Sequence, residues 1–320
     1  MSKRLERLWM AFLNSDRFRA FAKRGAGSRF FRSEAYQKLN LARRYVAASY
    51  QSRKNPALFQ DVRTYCMFIG HNKSGTSMIG ALLDAHPNVI LADEMEALRF
   101  VSAGFSRDQV FHLLLKGSRR EAMKGRVTAR RLQPYSYRVP GQWQGRYSGL
   151  RVIGDSTSGS STQRFAEDPD LLQRLHQVMR GVDVKFIQVI RNPYDPISVM
   201  MVRGKRTFEN SIENYFARCE TLGELRKRLG DSSLLAVRYE DFVLHPEVNL
   251  THLCRFLGVE PHDDYLKACT SILYKFPDQR RQMVEWDAKW IAVVRDKIEQ
   301  YDFLRGYSFE QQDSSVPALN

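Results

Sequence analysis

The residues best placed by type and spacing to do chemistry lie in MFIGHNKSGTSMIGALLDAHPNV, from Met67 to Val89. An apolar run enters a glycine-bounded turn, and a helical pattern leaves it. Gly70 and Gly75 have the spacing of the triphosphate loop G-x-x-x-x-G-K-[ST], but Thr76 occupies the lysine position and Lys73 lies two residues before Gly75. The backbone amides of Asn72–Ser77, with the N-terminus of the following helix, form an anion site. Ser74, Thr76 and Ser77 can add hydroxyl donors, Gly75 lets the backbone approach a ligand, and His71 lies in the same turn. An ordinary strand–helix turn also uses Gly and Ser. K-S-G-T-S crowded between a strand and an amphipathic helix favours the anion cradle.

Such a cradle needs a sheet to hold it. YCMFIG (65–70), NVILA (88–92), LRVIG (150–154), VKFIQVI (184–190) and LLAVRY (234–239) are nearly continuous apolar runs, as in strands buried on both faces of a parallel sheet. Helical patterns fall between them at 76–85, about 94–116, 170–180, 195–204 and 208–229, and others follow near 246–257, 262–273 and 283–300. The alternation predicts an α/β fold with crossover helices on both faces of a mostly parallel five-stranded sheet. Residues 117–149 mix Arg, Gly, Pro and aromatics without period, and read as an irregular basic insert, ordered as a lid by Tyr135, Tyr137, Trp143 and Tyr147. The domain plan is a basic helical extension over 1–60, a main domain over 61–308 and a disordered tail over 309–320.

The net charge of +15 is concentrated. Residues 1–55 carry 14 Lys/Arg against 3 Asp/Glu, and residues 116–151 carry 10 against one, so the rest of the chain is net acidic by about 5. Basic segments attract phosphates, sulfates, acidic polymers or anionic lipid surfaces, or simply form solvated faces. Leu5, Leu8, Trp9, Phe12 and Leu13 follow helical spacing, and a break at RGAGSR precedes a second helical stretch ending near Tyr50. Packing, contact with a second copy or a membrane surface are all open to this extension. Cys66, Cys219, Cys254 and Cys269 form no C-x-x-C pair and have no adjacent His cluster, which argues against a disulfide framework and a zinc site. No apolar run approaches the roughly 20 residues of a membrane span, and the first residues lack a signal-peptide core, so a cytoplasmic location is expected, with membrane association open.

The cradle resembles the 5′-phosphosulfate loop of sulfotransferases, K/R-x-G-T/S-x. LLDAHPNVILADE is similar to the same region of tyrosylprotein sulfotransferases and of bacterial sulfotransferase-domain proteins, and GHNKSGTSMIGALLDAHPN is close to the bacterial form. The resemblance implies a P-loop-like three-layer α/β sandwich, 3′-phosphoadenosine 5′-phosphosulfate (PAPS) as co-substrate, and no metal. It also explains the shifted lysine. Negative charge grows on the bridging oxygen as the sulfuryl group leaves, and Lys73 can neutralise it there. The donor's second phosphate calls for a second anion site. In RNPYDPISV, Arg191 and Asp195 are similar to the family pattern R-x-x-x-D-x-x-x-S. The family serine falls on Val199; Ser198, one position early and rotated by about 100° on a helix, is the expected substitute. In VRYEDF, Tyr239 matches a tyrosine that lies against adenine in related enzymes. The three stretches span roughly residues 65–260 in the family's order.

A base must take the acceptor's proton. In the tyrosylprotein and heparan branches a glutamate after the first helix does this, and counting from LDAHP the matching residue is Glu94, with Asp93 and Glu96 as rivals. A helix-start acidic cluster would look the same. Small-molecule sulfotransferases use a histidine instead; His86 reads as structural, and His71 either touches the donor or packs. Asp155 points to the same sheet edge, and Ser156 stands where some relatives have a lysine. The acceptor (a glycan, lipid, peptide or small alcohol) is not legible; the 117–149 stretch is expected to shape its pocket. Two other functions compete. A P-loop kinase predicts Lys after Gly75, where Thr76 stands. A non-catalytic basic module for anionic polymers fits the basic segments, but no nucleic-acid motif appears.

Overall fold

In the computed structural model, residues 34–127, 135–274 and 276–310 are described. The Leu5–Leu13 pattern, the RGAGSR break and the tail from residue 311 lie outside them. Contacts divide the chain into Met1–Lys54 and Asn55–Asn320. In the first unit, helix α1 spans Glu34–Lys54, with Glu34 in its first turn and Arg53 and Lys54 in its last, each complementing the helix dipole.

In the second unit the five apolar runs become β1 (Thr64–Gly70), β2 (Val89–Ala92), β3 (Val152–Asp155), β4 (Asp183–Ile190) and β5 (Leu234–Arg238). All pair in parallel, in the order β2-β3-β1-β4-β5. Central β1 is buried along its whole length, which is why TYCMFIG shows no alternation. Successive side chains of β1 go to opposite faces. Cys66 and Phe68 enter one core with Ile79, Leu82 and Leu83, and with Leu250, Leu253 and Tyr265 from beyond β5. On the other face Tyr65 stacks on Phe111, and Phe165 packs against Phe186.

Helix α2 (Thr76–Leu83) follows β1. Between β2 and β3 run α3 (Ala97–Ser102) and α4 (Arg107–Met123); between β3 and β4, α5 (Gly159–Glu167) and α6 (Leu171–Val178). Helices α7 (Tyr194–Gly204) and α8 (Phe208–Leu229) join β4 to β5, and α9 (Tyr239–Leu244), α10 (Pro246–Leu257), α11 (Asp263–Ser271) and α12 (Ala288–Ile298) follow β5. The result is a helix–sheet–helix sandwich, as expected. The chain leaves β1 on the α2 face, while α8, after β4, packs on β1 from the other face. Adjacent strands whose connections part to opposite faces open a crevice at their carboxyl ends, and here that crevice lies between the cradle and α7.

Three expectations change. The single helix read over 94–116 is two, because Gly104 turns at φ 77 and Ser106 starts α4 with a capping box to Gln109. Helix α4 runs on to Met123, so the first part of the 117–149 segment is helical. The described remainder of that segment hydrogen-bonds near the end of α2 remote from the cradle: Trp143 N–H donates to Ala85 O, Gly145 N–H to Asp84 and Ser148 N–H to Pro87 O. Buried Asp84 also pairs with Arg126 and accepts from Ser118 and Leu91 N–H, so one carboxylate ties α2, α4, β2 and the segment together.

Candidate active site

The cradle follows β1 directly. Gly75 caps α2 at φ 97 without a side-chain cap, and its carbonyl accepts from Met78 and Ile79 N–H. Among the described residues no acceptor takes the N–H of Ser74, Gly75, Thr76 or Ser77. These are the orphan donors of a helix start, presented together beside Lys73. Lys73 itself stands at φ 71. Among the described residues only five non-glycines have positive φ, and Lys73, Glu94 and Glu96 are three of them. Left-handed backbone at such side chains costs energy, and proteins retain it where geometry matters.

The floor of the cradle is α5, a helix its Gly/Ser-rich sequence concealed. Thr162 Oγ1 accepts the Gly70 N–H at 2.9 Å, and Ser158 donates to His71 O at 3.3 Å. Thr76 Oγ1 lies 3.4 Å from Ser158 Oγ. Gly159 admits Asn72, whose Oδ1 would be 2.4 Å from any Cβ placed there. His71 is buried, stacks on Tyr215 and has Nε2 at 2.9 Å from Tyr215 O. Burial pulls its pKa down to about 4, against that hydrogen bond and with a further push from Arg218. It is therefore neutral at pH 7. A carbonyl can only accept, so Nε2 carries the proton and Nδ1 keeps its lone pair.

Arg191 lies against the cradle at the end of β4. Its Nη1 is 3.3 Å from Lys73 O, its Nε 3.2 Å from Asp195, and its Nη2 donates to Asp278 O. Its guanidinium lies 4.4 Å from the centre of the Tyr239 ring. That ring packs on Gly75. Arg281 adds a second cation: its N–H donates to Asp195 at 2.8 Å and its guanidinium is 3.6 Å from the same carboxylate. Nothing in the sequence around Arg281 announced it; the fold brings the segment back over α7. Ser198 is turned away. Its hydroxyl donates to Tyr194 O and accepts from Trp286 Nε1 at 3.0 Å.

Val199, Met200 and Arg203 of α7 line a cleft, and Asp195 and Ser198 are not among its lining residues. The cleft has a volume of about 240 Å³, and His71, Asn72 and Lys73 form its opposite wall. Position 199, the family's serine position, thus faces the cleft as valine. Pro196, Gly204, Arg206 and Arg218 complete a lining that, among the described residues, contains no Asp or Glu. None of residues 135–149 belongs to it, so the described part of the irregular segment does not line this cleft.

The carboxylates stand beyond β3. Asp155 accepts from Met95 N–H, Ala97 N–H, and the Thr157 hydroxyl and N–H, so it fixes the loop carrying Glu94 and Glu96. Burial raises its pKa to about 6 in spite of these bonds. Glu96 donates its N–H to Thr157 and pairs with Arg164 at 3.1 Å; Asp93 accepts from Ser156; Glu94 is exposed. None of the three lines the cleft. Loop 155–158 touches both them and the cradle.

A model of the sulfotransferase family matches residues 67–264. The chain belongs to that family. No curated protein matches this sulfotransferase. Solved structures similar to it include the sulfotransferase domain of the Synechococcus PCC 7002 olefin synthase, 18% identical over 79% of this chain and 97% of that one, with a TM-score of 0.48. The sulfotransferase domain of the curacin biosynthetic pathway is 14% identical, over 75% and 99%, at 0.46. Mouse sulfotransferase SULT7A1, complexed with PAP, is 14% identical, over 77% and 87%, at 0.42. Among the described residues no helix is long and apolar enough to cross a membrane.

Proposed function

We propose that this sulfotransferase takes its sulfuryl group from PAPS and passes it by in-line displacement to a hydroxyl or amine. The observation that carries the reading is the row of unpartnered amides at Ser74–Ser77, with Lys73 and the Arg191–Arg281 pair beside it. That arrangement suits one nucleotide charged at both ribose ends. PAPS, when bound, supplies an activated sulfuryl group on a phosphate leaving group.

The amides of Ser74–Ser77 and the hydroxyls of Thr76 and Ser77 hold the 5′ end. Lys73 neutralises the charge that develops on the bridging oxygen as the sulfur–oxygen bond breaks, an interaction stronger in the transition state than before it. Arg191, with Arg281, receives the 3′-phosphate; both now share Asp195, so an incoming phosphate competes with that carboxylate. Tyr239 meets the adenine by whatever ring surface Gly75 and Arg191 leave. Ser198 acts through the placing of α7, since its hydroxyl is committed to Trp286. His71 and Asn72 form the wall between donor and cleft. Glu94, with Asp93 and Glu96 beside it, accepts the acceptor's proton as the new sulfur–oxygen or sulfur–nitrogen bond forms.

Calorimetry with adenosine 3′,5′-bisphosphate (PAP) tests the reading. PAP should bind more tightly than AMP, and Arg191→Ala should abolish most of the difference. ATP with magnesium bound more tightly than PAP would instead support the kinase alternative.

A further inference from the structure

Helix α1 leaves an apolar stripe in solvent. Leu39, Val46 and Tyr50 are 44%, 53% and 62% exposed, and Ala42 between them is exposed too. Steps of three, four and four residues put all four side chains on one side of the helix. The helix also has an inward side, where Ala48 is buried and Leu41 and Ser52 are half-buried. The stripe is therefore a second apolar side, separate from the one that packs.

Charge decides what such a stripe can meet. Over Glu34–Lys54 the helix carries five cations, Lys38, Arg43, Arg44, Arg53 and Lys54, against one acid, Glu34. That acid is already paired with Lys38, at 2.6 Å. Arg53 and Lys54 are exposed at the end of the stripe. A second copy of α1 laid on the first would set a net +4 against a net +4, so self-pairing gains apolar area and loses electrostatically. An anionic face gains on both counts. The sequence before α1 has the same character: residues 1–33 hold nine Lys/Arg against two Asp/Glu, with Leu5, Leu8, Trp9, Phe12 and Leu13 among them.

Shape separates a lipid surface from an acidic protein. The stripe is one helix wide and convex, about 30 Å long over 21 residues, and offers no pocket for the anchor side chains of a protein partner. The headgroup region of a bilayer needs no pocket. It takes apolar side chains from a helix lying in its plane, and holds a tyrosine ring at the boundary with its hydroxyl in water.

We propose that α1 docks on an anionic lipid surface, with Leu39, Val46 and Tyr50 entering the headgroup layer and Arg53 and Lys54 against its phosphates. The proposal is independent of the sulfuryl-transfer reading.

Sedimentation of the full chain with vesicles tests it. Wild type should bind phosphatidylcholine vesicles containing one quarter phosphatidylglycerol at least tenfold more tightly than pure phosphatidylcholine vesicles, and 0.5 M salt should remove most of the difference. Val46→Glu/Tyr50→Glu and Arg53→Glu/Lys54→Glu should each weaken that binding about tenfold, with circular dichroism unchanged. Lys227→Glu/Lys267→Glu changes two exposed lysines outside α1 and should cost less than threefold; an equal loss there would show that overall charge, not α1, drives binding. Labelling checks the face directly, because the four native cysteines are buried. Val46→Cys should react with a maleimide as an exposed thiol does, and at least tenfold more slowly on the anionic vesicles. A thiol unreactive without vesicles would show the stripe covered by a second copy or by the chain itself, and overturn the proposal. No binding to the anionic vesicles, or binding only to poly-L-glutamate, which would give the face to an acidic polypeptide, overturns it as well.

Discussion

Gly75→Ala measures how tightly the cradle is built. Gly75 has φ 97, and a Cβ there would lie 2.4 Å from Tyr239 Cδ2 and 2.7 Å from Cε2. The ring has little room to retreat, because it is 7% exposed and Arg191 lies 4.4 Å from its centre. Left-handed backbone at alanine costs about 1–2 kcal/mol, and overpacking a filled site about 1–3 kcal/mol. The sum, about 2–5 kcal/mol, corresponds to a Tm loss of roughly 4–20 °C for a domain of this size. Gly104→Ala is the control: φ there is 77, and nothing lies within 4 Å of its added Cβ, so only the backbone contribution applies. Thermal unfolding followed by circular dichroism compares the two variants, and calorimetry follows PAP binding. Gly75→Ala should be the less stable by the overpacking contribution and should bind PAP at least tenfold more weakly, since its clash displaces the amide row. Equal melting temperatures for the two variants, with PAP binding intact, would refute the close packing of Tyr239 on the cradle.

Lys73→Ala should lower kcat by about a hundredfold to a thousandfold with circular dichroism unchanged, because the side chain is exposed and acts on charge that grows in the transition state; a small change in kcat removes Lys73 from that role. Glu94→Gln should abolish the acidic limb of the pH–rate profile and cost about a hundredfold or more, Glu96→Gln less, given its pairing with Arg164. Loss of that limb in His71→Asn instead would move the base to His71 Nδ1. His71 also predicts a stability profile. Its folded pKa, about 4, is below its ordinary 6.5, so stability present above pH 6.5 is lost as pH falls toward 4, by up to about 3 kcal/mol. Asp155 has the opposite sign: with a folded pKa of about 6 against 3.8, its contribution is present below pH 3.8 and lost as pH rises through 6. Subtracting the urea-unfolding profile of His71→Asn from that of wild type isolates the histidine, and a flat difference between pH 4 and 6.5 would show that the imidazole is not buried neutral.

Much of the scaffold could be read locally. Buried parallel strands are continuous apolar runs, and TYCMFIG and DVKFIQVI declared themselves with ends within two residues of those observed. Helices α5 and α9 were not legible: GSSTQRFAE opens with glycine and hydroxyls, and YEDFVL is too short for a period. Helix α5 proves to be the floor of the cradle, so this gap concerned the site itself. The Ser198 expectation met helical geometry. Its hydroxyl turns toward Trp286, and the position one residue later faces the cleft.

By itself the sequence determined the turn after β1, because a strand–glycine–helix turn is a local object: Gly75 caps α2 and the orphan amides of the helix start lie only a few residues apart. It likewise determined the α/β class and the family, through motifs in fixed order. Only the tertiary structure decided the rest. Arg191 joins Lys73 O across 118 residues, and Arg281 returns over Asp195 from 86 residues away. The charge of a site is summed over neighbours in space, and the chain order that a sequence displays carries no record of which distant cations will meet.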